Sequence, residues 1–324
     1  MLNLKIFKQK FDVYLEQYLN RKISTVNKLT KDTAVLDYIN YLKKVSLSGG
    51  KRIRPYLAYS IYQTLSGEKS SFSKEEKILK FLVSLEIFHI FCLVHDDIMD
   101  KSTLRHGIPT SHTYISNMLK RKKIIGDLNH VGNSQAILLG DLLLSWSQNI
   151  VNSNKDFPKE IIDKVGTYFY EMIDEVSIGQ MIDVDIATRK NVSKELIDEK
   201  TRRKTADYSF IKPLLIGAAL AGNNNKNVEA FCEEFGLTMG FAFQIQDDLL
   251  SLISSDEELG KTASLDKSQN QHTYFTFYPS LKKGKEVILE NLRQARILIK
   301  KSQLNEDGKK RFFDLVNLVE KRKS

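Results

Sequence analysis

Apolar residues recur at helical spacing along almost the whole chain, and convincing alternation of the kind a half-buried strand shows is absent. Ile78, Phe81, Leu82, Leu85, Phe88 and Cys92 form one stripe, and Ala136, Leu139, Leu143 and Trp146 another. Ile161, Val165, Tyr168, Met172 and Val176 repeat the pattern, as do Phe235, Met239, Ala242 and Phe243. Gly49-Gly50, Ser66-Gly67, Gly107-Ile108-Pro109, Gly222-Asn223-Asn224-Asn225 and Gly260 fall between the periodic segments and mark the breaks. The pattern predicts an all-α chain of about ten or more helices. No repeat, low-complexity segment or Pro-rich linker divides the 324 residues, so a single domain over 1–324 is expected. The polar tracts 120–130 and 223–227 are expected to be inter-helix loops.

Composition narrows the class. With 42% hydrophobic residues, 5 Pro and 16 Gly, collagen-like and disordered chains are excluded. Cys92 and Cys232 both sit in apolar helical patterns and are too few for a disulfide framework. They suggest a reducing compartment and hence a cytoplasmic location. The first eleven residues mix Lys with apolar side chains and do not read as a secretory signal; the apolar runs 87–94 and 214–221 are shorter than the roughly 20 residues a bilayer needs. The net charge is +9, and residues 281–324 carry 13 Lys+Arg against 6 Asp+Glu, or +7 of it. A solvated helix face accounts for that excess, as does attraction to anionic lipid or diphosphate. No nucleic-acid recognition motif accompanies it, so no nucleic-acid partner is expected.

The sharpest local feature is His95-Asp96-Asp97-Ile98-Met99-Asp100, directly after an apolar run. On a helix Asp96 and Asp100 share a face with Asp97 beside them. Alone, such a motif is equally well a solvated helix end. A second pair, Asp247-Asp248, again follows a long apolar helix. Two acidic clusters on apolar helices make sense if they hold hard cations: Mg²⁺ takes oxygen ligands and is typically bound by one or two carboxylates together with substrate phosphates. The implied ligand is a diphosphate, which also needs cations. Gly49-Gly50-Lys51-Arg52-Ile53-Arg54-Pro55 offers three, and Arg105-His106, Arg202-Arg203-Lys204-Thr205 and Gly260-Lys261 offer more. Each of these alone is ordinary surface charge.

The ordered series GGKRIRP (49–55), FHIFCLVHDDIMD (88–100), LRHGIPTSH (104–112), SIGQMIDVD (177–185), RKTADY (203–208), GFAFQIQDDLL (240–250) and LGKTASLDKSQNQHTYF (259–275) resembles the trans-isoprenyl diphosphate synthases. The resemblance implies the all-helical isoprenoid synthase fold around a central cavity. It also implies head-to-tail condensation of an allylic diphosphate with isopentenyl diphosphate, assisted by three Mg²⁺ ions. Asp96 and Asp100 would ligate two ions and Asp247 the third, with Asp97 and Asp248 orienting that shell. Lys51, Arg54 and His89 match residues that grip isopentenyl diphosphate; Arg105, Lys204 and Lys261 match ligands of the allylic diphosphate, beside His106. Lys204, Thr205 and Gln244 match the groups that steady the cation, Gln180 a helper near the metals, and Phe243 an aromatic wall. His89 alone also reads as a core histidine. Phe88, Phe91 and Cys92, upstream of the first motif, match the floor that sets product length and suggest C15 to C20, although both phenylalanines equally suit core packing.

Three positions depart from the family pattern: His106 stands where Arg is common, Gln271 where Lys is common, and Ser251 where a third Asp is common. They motivate the alternative of a non-catalytic subunit in a heteromeric prenyl synthase. A class I terpene cyclase is a further alternative, but it would not need the GGKRIRP loop. The family resemblance also implies a homodimer. The charge of the basic C-terminal end, Lys321-Arg322-Lys323, suggests that it reaches a diphosphate or, at most peripherally, a membrane.

Overall fold

A computed structural model describes residues 4–67, 72–253, 272–277 and 280–321. They are almost wholly helical: α1 (Leu4–Leu29), α2 (Thr33–Leu47), α3 (Ile53–Ser66), α4 (Phe72–Met99), α5 (Ser111–Arg121), α6 (Leu128–Asn152), α7 (Lys159–Ile186), α8 (Lys194–Thr201), a π-helical segment (Arg202–Ile211), α9 (Lys212–Leu220), α10 (Lys226–Ile253), a 3-10 turn (Tyr274–Thr276), α11 (Leu281–Lys301) and α12 (Glu306–Glu320). Among the described residues the β structure is one hairpin, β1 (Leu104–Arg105) and β2 (Ile108–Pro109), antiparallel with Leu104 opposite Pro109. The all-α expectation holds.

Two expected loops are shorter than the polarity of the sequence suggests, because a side chain caps the following helix. Asp127 accepts a hydrogen bond from the His130 backbone N–H and draws residues 128–130 into α6. Asn225 does the same for Asn227 at the start of α10. A further difference concerns hydropathy. Ser73–Met99 contains an 18-residue window of mean hydropathy 1.9, long and apolar enough to cross a membrane, although its individual apolar runs are not; 67% of that window is buried within the protein. It reads as a core helix.

The chain divides into two compact units. In the first, residues up to 56 and 76–154, Phe7, Phe11 and Leu15 of α1 are fully buried together with Leu42 of α2 and Phe81, Leu82 and Phe88 of α4. Phe7 stacks on Phe11 at 5.4 Å and meets Tyr56 at 5.2 Å. Burying each such side chain stabilises the fold by roughly 1.5–3 kcal/mol. In the second, residues 57–75 and 155 onward, Phe231 and Phe235 of α10 meet Phe312 of α12 edge-on at 5.2 and 5.1 Å. Gly217 of α9 passes so close to α3 that an added Cβ would lie 2.2 Å from the Ala58 carbonyl oxygen.

Candidate active site

The first acidic cluster ends α4. Asp97 is 3% exposed, and its Oδ1 accepts from Arg105 Nε at 2.8 Å and Nη2 at 2.6 Å. Arg105 Nη2 also lies 3.8 Å from Asp96. The hairpin puts Arg105 there. Its two turn residues, His106 and Gly107, have φ of 52° and 76°, the positive pair of a type I′ hairpin turn. The hairpin is tied down by Tyr41, whose hydroxyl donates to the Pro109 carbonyl at 2.7 Å. His106 lies against the Gly49 backbone, where a Cβ would come within 2.5 Å of the imidazole, so this glycine serves close approach.

His89, two turns before Asp96 on α4, reports the electrostatics of this cluster. Burial pushes its pKa well below 6.5, and Arg54, Arg105, Arg52 and His106 push the same way. The imidazole is therefore neutral in a field of converging cations, an arrangement that favours an anion. Lys51 is exposed in the loop before α3; Asp96 is half-buried on α4, and Asp100 is half-buried in the turn directly after it. Arg52 departs from the expectation of three loop cations. It is 4% exposed and bonded to Glu86 at 2.6 Å, Asp12 at 2.7 Å and the Ser46 carbonyl at 3.0 Å, so it fastens the loop to α1, α2 and α4.

The second cluster belongs to the other unit and is built around the π-helical segment, which is squeezed between glycines. A Cβ on Gly179 of α7 would lie 2.7 Å from Lys204 N, and one on Gly240 of α10 would lie 2.3 Å from Ala206 Cα. This approach hands Thr205 Oγ1 to Gln244 Oε1 at 2.6 Å, and Gln244 Nε2 donates to Asp248 Oδ1 at 2.8 Å. The Tyr274 N–H donates to the other Asp248 oxygen at 3.2 Å. Burial pushes the Asp248 pKa up to about 6, against the pull of Gln244, Lys200 and the Tyr274 N–H and with the help of Asp247. Phe243 meets Phe210 edge-on at 5.5 Å, and Gln180 is half-buried on α7. Lys261 and Gln271 lie outside the described residues, and Ser251 is in α10.

Sequence reasoning missed Asp183. It lies three residues after Gln180 on α7 and takes Lys204 Nζ at 2.6 Å and Lys200 Nζ at 3.0 Å. Burial alone would raise its pKa, but the two ammonium groups hold it down to about 2. The available signal was the lysine pair Lys200 and Lys204, one helical turn apart and needing a counter-ion. Arg203, beside them, is taken by Glu175 and Glu199.

Phe88 is fully buried, whereas Phe91 and Cys92 are half-buried. Phe91 touches Phe88 at 5.5 Å and the His95 ring edge-on at 4.7 Å. Among the described residues no group of three or more His, Cys, Asp or Glu converges as a metal cage. The donor chemistry nevertheless suits Mg²⁺, which needs only one or two carboxylates when phosphates and water complete its shell.

A profile of the polyprenyl synthetase family matches residues 36–307. The chain belongs to that family. It is 32% identical over 266 residues, 80% of this chain and 73% of the relative, to geranylgeranyl diphosphate synthase of Sulfolobus acidocaldarius. It is 33% identical over 244 residues, 71% of this chain and 65% of the relative, to geranylfarnesyl diphosphate synthase of Natronomonas pharaonis. Among solved structures, the geranylgeranyl pyrophosphate synthase of Corynebacterium glutamicum, complexed with isoprenyl diphosphate and magnesium, superposes with a TM-score of 0.89 at 24% identity, covering 99% of this chain and all of that one. That likeness shows the isoprenoid synthase fold. A polyprenyl synthetase is a prenyltransferase, and this chain is one.

Proposed function

We propose that this polyprenyl synthetase condenses an allylic diphosphate with isopentenyl diphosphate head to tail and releases a trans-polyprenyl diphosphate. The observation that carries the reading is the pair of carboxylate clusters, each with an aspartate fixed by neighbouring donors. By the family resemblance Asp96, Asp100 and Asp247 would hold Mg²⁺, and Asp97, held by Arg105, and Asp248, held by Gln244 and the Tyr274 N–H, would orient that shell. Mg²⁺ bound to them, three ions by the family resemblance, would neutralise the leaving diphosphate. Arg105, Lys204 and Lys261 would grip the allylic diphosphate, with His106 as a hydrogen-bond donor in the place of a second arginine. Lys51, Arg54 and neutral His89 would take isopentenyl diphosphate. Thr205 and Gln244, already joined, would turn oxygens toward the developing cation, with Phe243 as the aromatic wall and Gln180 as a helper. Released diphosphate takes the final proton, so no side-chain base is required.

Relatives named for C20 and C25 products support a product at the upper end of the C15 to C20 range. Phe91, half-buried five residues before Asp96, would be the floor, with Phe88 packed behind it and Cys92 alongside. The family profile covers most of both packing units, which supports one catalytic domain. Ile137, Leu138 and Leu142 expose an apolar face on α6, which supports a homodimer. The decisive experiment incubates purified protein with Mg²⁺, labelled isopentenyl diphosphate and, separately, C5, C10 and C15 allylic primers, followed by chromatography of the dephosphorylated products. A ladder ending at one length establishes the reaction and its ruler. Failure to elongate any primer would instead leave a non-catalytic subunit or a cyclase.

A further inference from the structure

The turn between α5 and α6, in the first packing unit, has no part in the chemistry above. It reads Lys120-Arg121-Lys122-Lys123-Ile124-Ile125-Gly126-Asp127. Ile125 is 97% exposed and Ile124 50%. The turn is an ordered helix stop: Lys123 takes a φ of 57°, the left-handed conformation ordinarily given to glycine, and the Ile124 N–H bonds back to the Leu119 carbonyl at 3.2 Å. Both isoleucines are thus presented by fixed backbone directly behind four consecutive cations.

The α1–α2 turn lies at the same end of this unit. Lys122 Nζ reaches Asp37 at 3.4 Å, and the Tyr38 hydroxyl feels Lys122, Asp32 and Asp37 together. That turn exposes Leu29 at 80% and carries Lys28 and Lys31. The carboxylates at this end are largely committed: Asp32 caps α2, Asp127 caps α6 and Asp37 meets Lys122. Three exposed aliphatic side chains remain, flanked along the sequence by Lys28, Lys31, Lys120, Arg121, Lys122 and Lys123.

We propose that this end of the unit, Leu29 and Ile124–Ile125 with their flanking lysines and arginine, docks on the surface of an anionic lipid bilayer. A purely ionic surface would have no reason to expose isoleucine, and a purely apolar one would not be flanked by cations. Basic side chains seek the charged headgroups while aliphatic ones enter the headgroup–acyl boundary, and the two signals together hold a protein where either alone is marginal. The polyanionic backbone of RNA would satisfy the cations and leave the isoleucines in water. The proposal stands apart from the reaction, although a prenyl product too apolar for water would give the surface a use.

The test is co-sedimentation of the full chain, without substrates, with vesicles of phosphatidylcholine alone or mixed with phosphatidylglycerol. The wild-type protein is expected to sediment with the mixed vesicles at low salt and to be released by high salt. Ile124→Ser/Ile125→Ser should weaken that binding about tenfold or more, and Lys122→Gln/Lys123→Gln should do the same, since each cation near an anionic surface is worth roughly fivefold. Both variants change exposed residues, so unchanged circular dichroism and unchanged elongation of water-soluble primers would show that fold and active site are intact. Wild-type protein that ignores both vesicles overturns the proposal. So does a serine variant that binds as well as wild type, or binding to an RNA oligonucleotide in the absence of vesicle binding.

Discussion

Asp97 and Asp248 are held by different chemistry: a guanidinium grips one, and an amide and a backbone N–H hold the other. Arg105→Lys keeps the charge but cannot make both bonds to Asp97, and losing a buried charge-assisted hydrogen bond costs about 1.5–3 kcal/mol. A lower melting temperature is expected, together with a fall in kcat/KM of about tenfold to a hundredfold in the elongation assay at a temperature where the variant is folded. His89 gives a pH prediction. Its folded pKa lies well below 6.5 while the unfolded chain binds a proton near that value, so the stability it contributes is present above about pH 6.5 and is lost as pH falls. His89→Gln should flatten the decline in melting temperature between pH 6.5 and 5, and imidazole NMR should find His89 neutral at pH 6. At this scale the sequence shows the aspartate motifs because their residues are contiguous. It hides the role of Arg52, whose partners Asp12 and Glu86 lie 40 and 34 residues away. It also hides Asp183, whose partners Lys200 and Lys204 lie on α8 and on the π-helical segment.

The π-helical segment between α8 and α9 is the element least legible in the sequence. Helical periodicity predicts a helix there, but Arg202–Ile211 contains nothing that distinguishes an i+5 bond from an i+4 bond. The cause is tertiary: Gly179 and Gly240 admit the segment from either side, and glycine spacing on distant helices reveals nothing until those helices pack. Gly240→Ala tests the arrangement. Its Cβ would meet Ala206 Cα at 2.3 Å, so backbone must move, and overpacking of this kind costs about 1–3 kcal/mol. Melting temperature should fall, and turnover should fall further because Lys204 and Thr205 move with the segment. Gly166→Ala, on α7 with nothing within 4 Å of the new Cβ, is the control and should be neutral or stabilising by up to about 1 kcal/mol. Equal losses in the two variants would mean that the close approach at Gly240 has no special role.

For the whole molecule, the charge pattern sets the terms on which it meets its ligands. Most of the +9 is legible in the sequence as a C-terminal excess, yet among the described residues the most exposed pairing of cations with aliphatic residues is at the α5–α6 turn, because exposure depends on packing that composition does not encode. The two carboxylate clusters are acidic, and Arg105, paired with Asp97 and near Asp96, offsets like-charge repulsion in the first of them. Mg²⁺ with an allylic diphosphate would bind the folded state alone, and a ligand at a hundred times its Kd adds about 2.7 kcal/mol of stability. Spread over the unfolding entropy of a chain this long, that corresponds to a rise in melting temperature of about 4 °C. Neither component alone should produce it: the diphosphate lacks its counter-ions, and the described residues form no three-ligand cage for the metal. Chelation should reverse the shift, and Asp100→Asn should shrink it while an exposed substitution in neither cluster, Asp163→Asn on α7, leaves it intact. A full shift with diphosphate in the presence of chelator would assign binding to the cations alone and remove Mg²⁺ from the ground state of the complex.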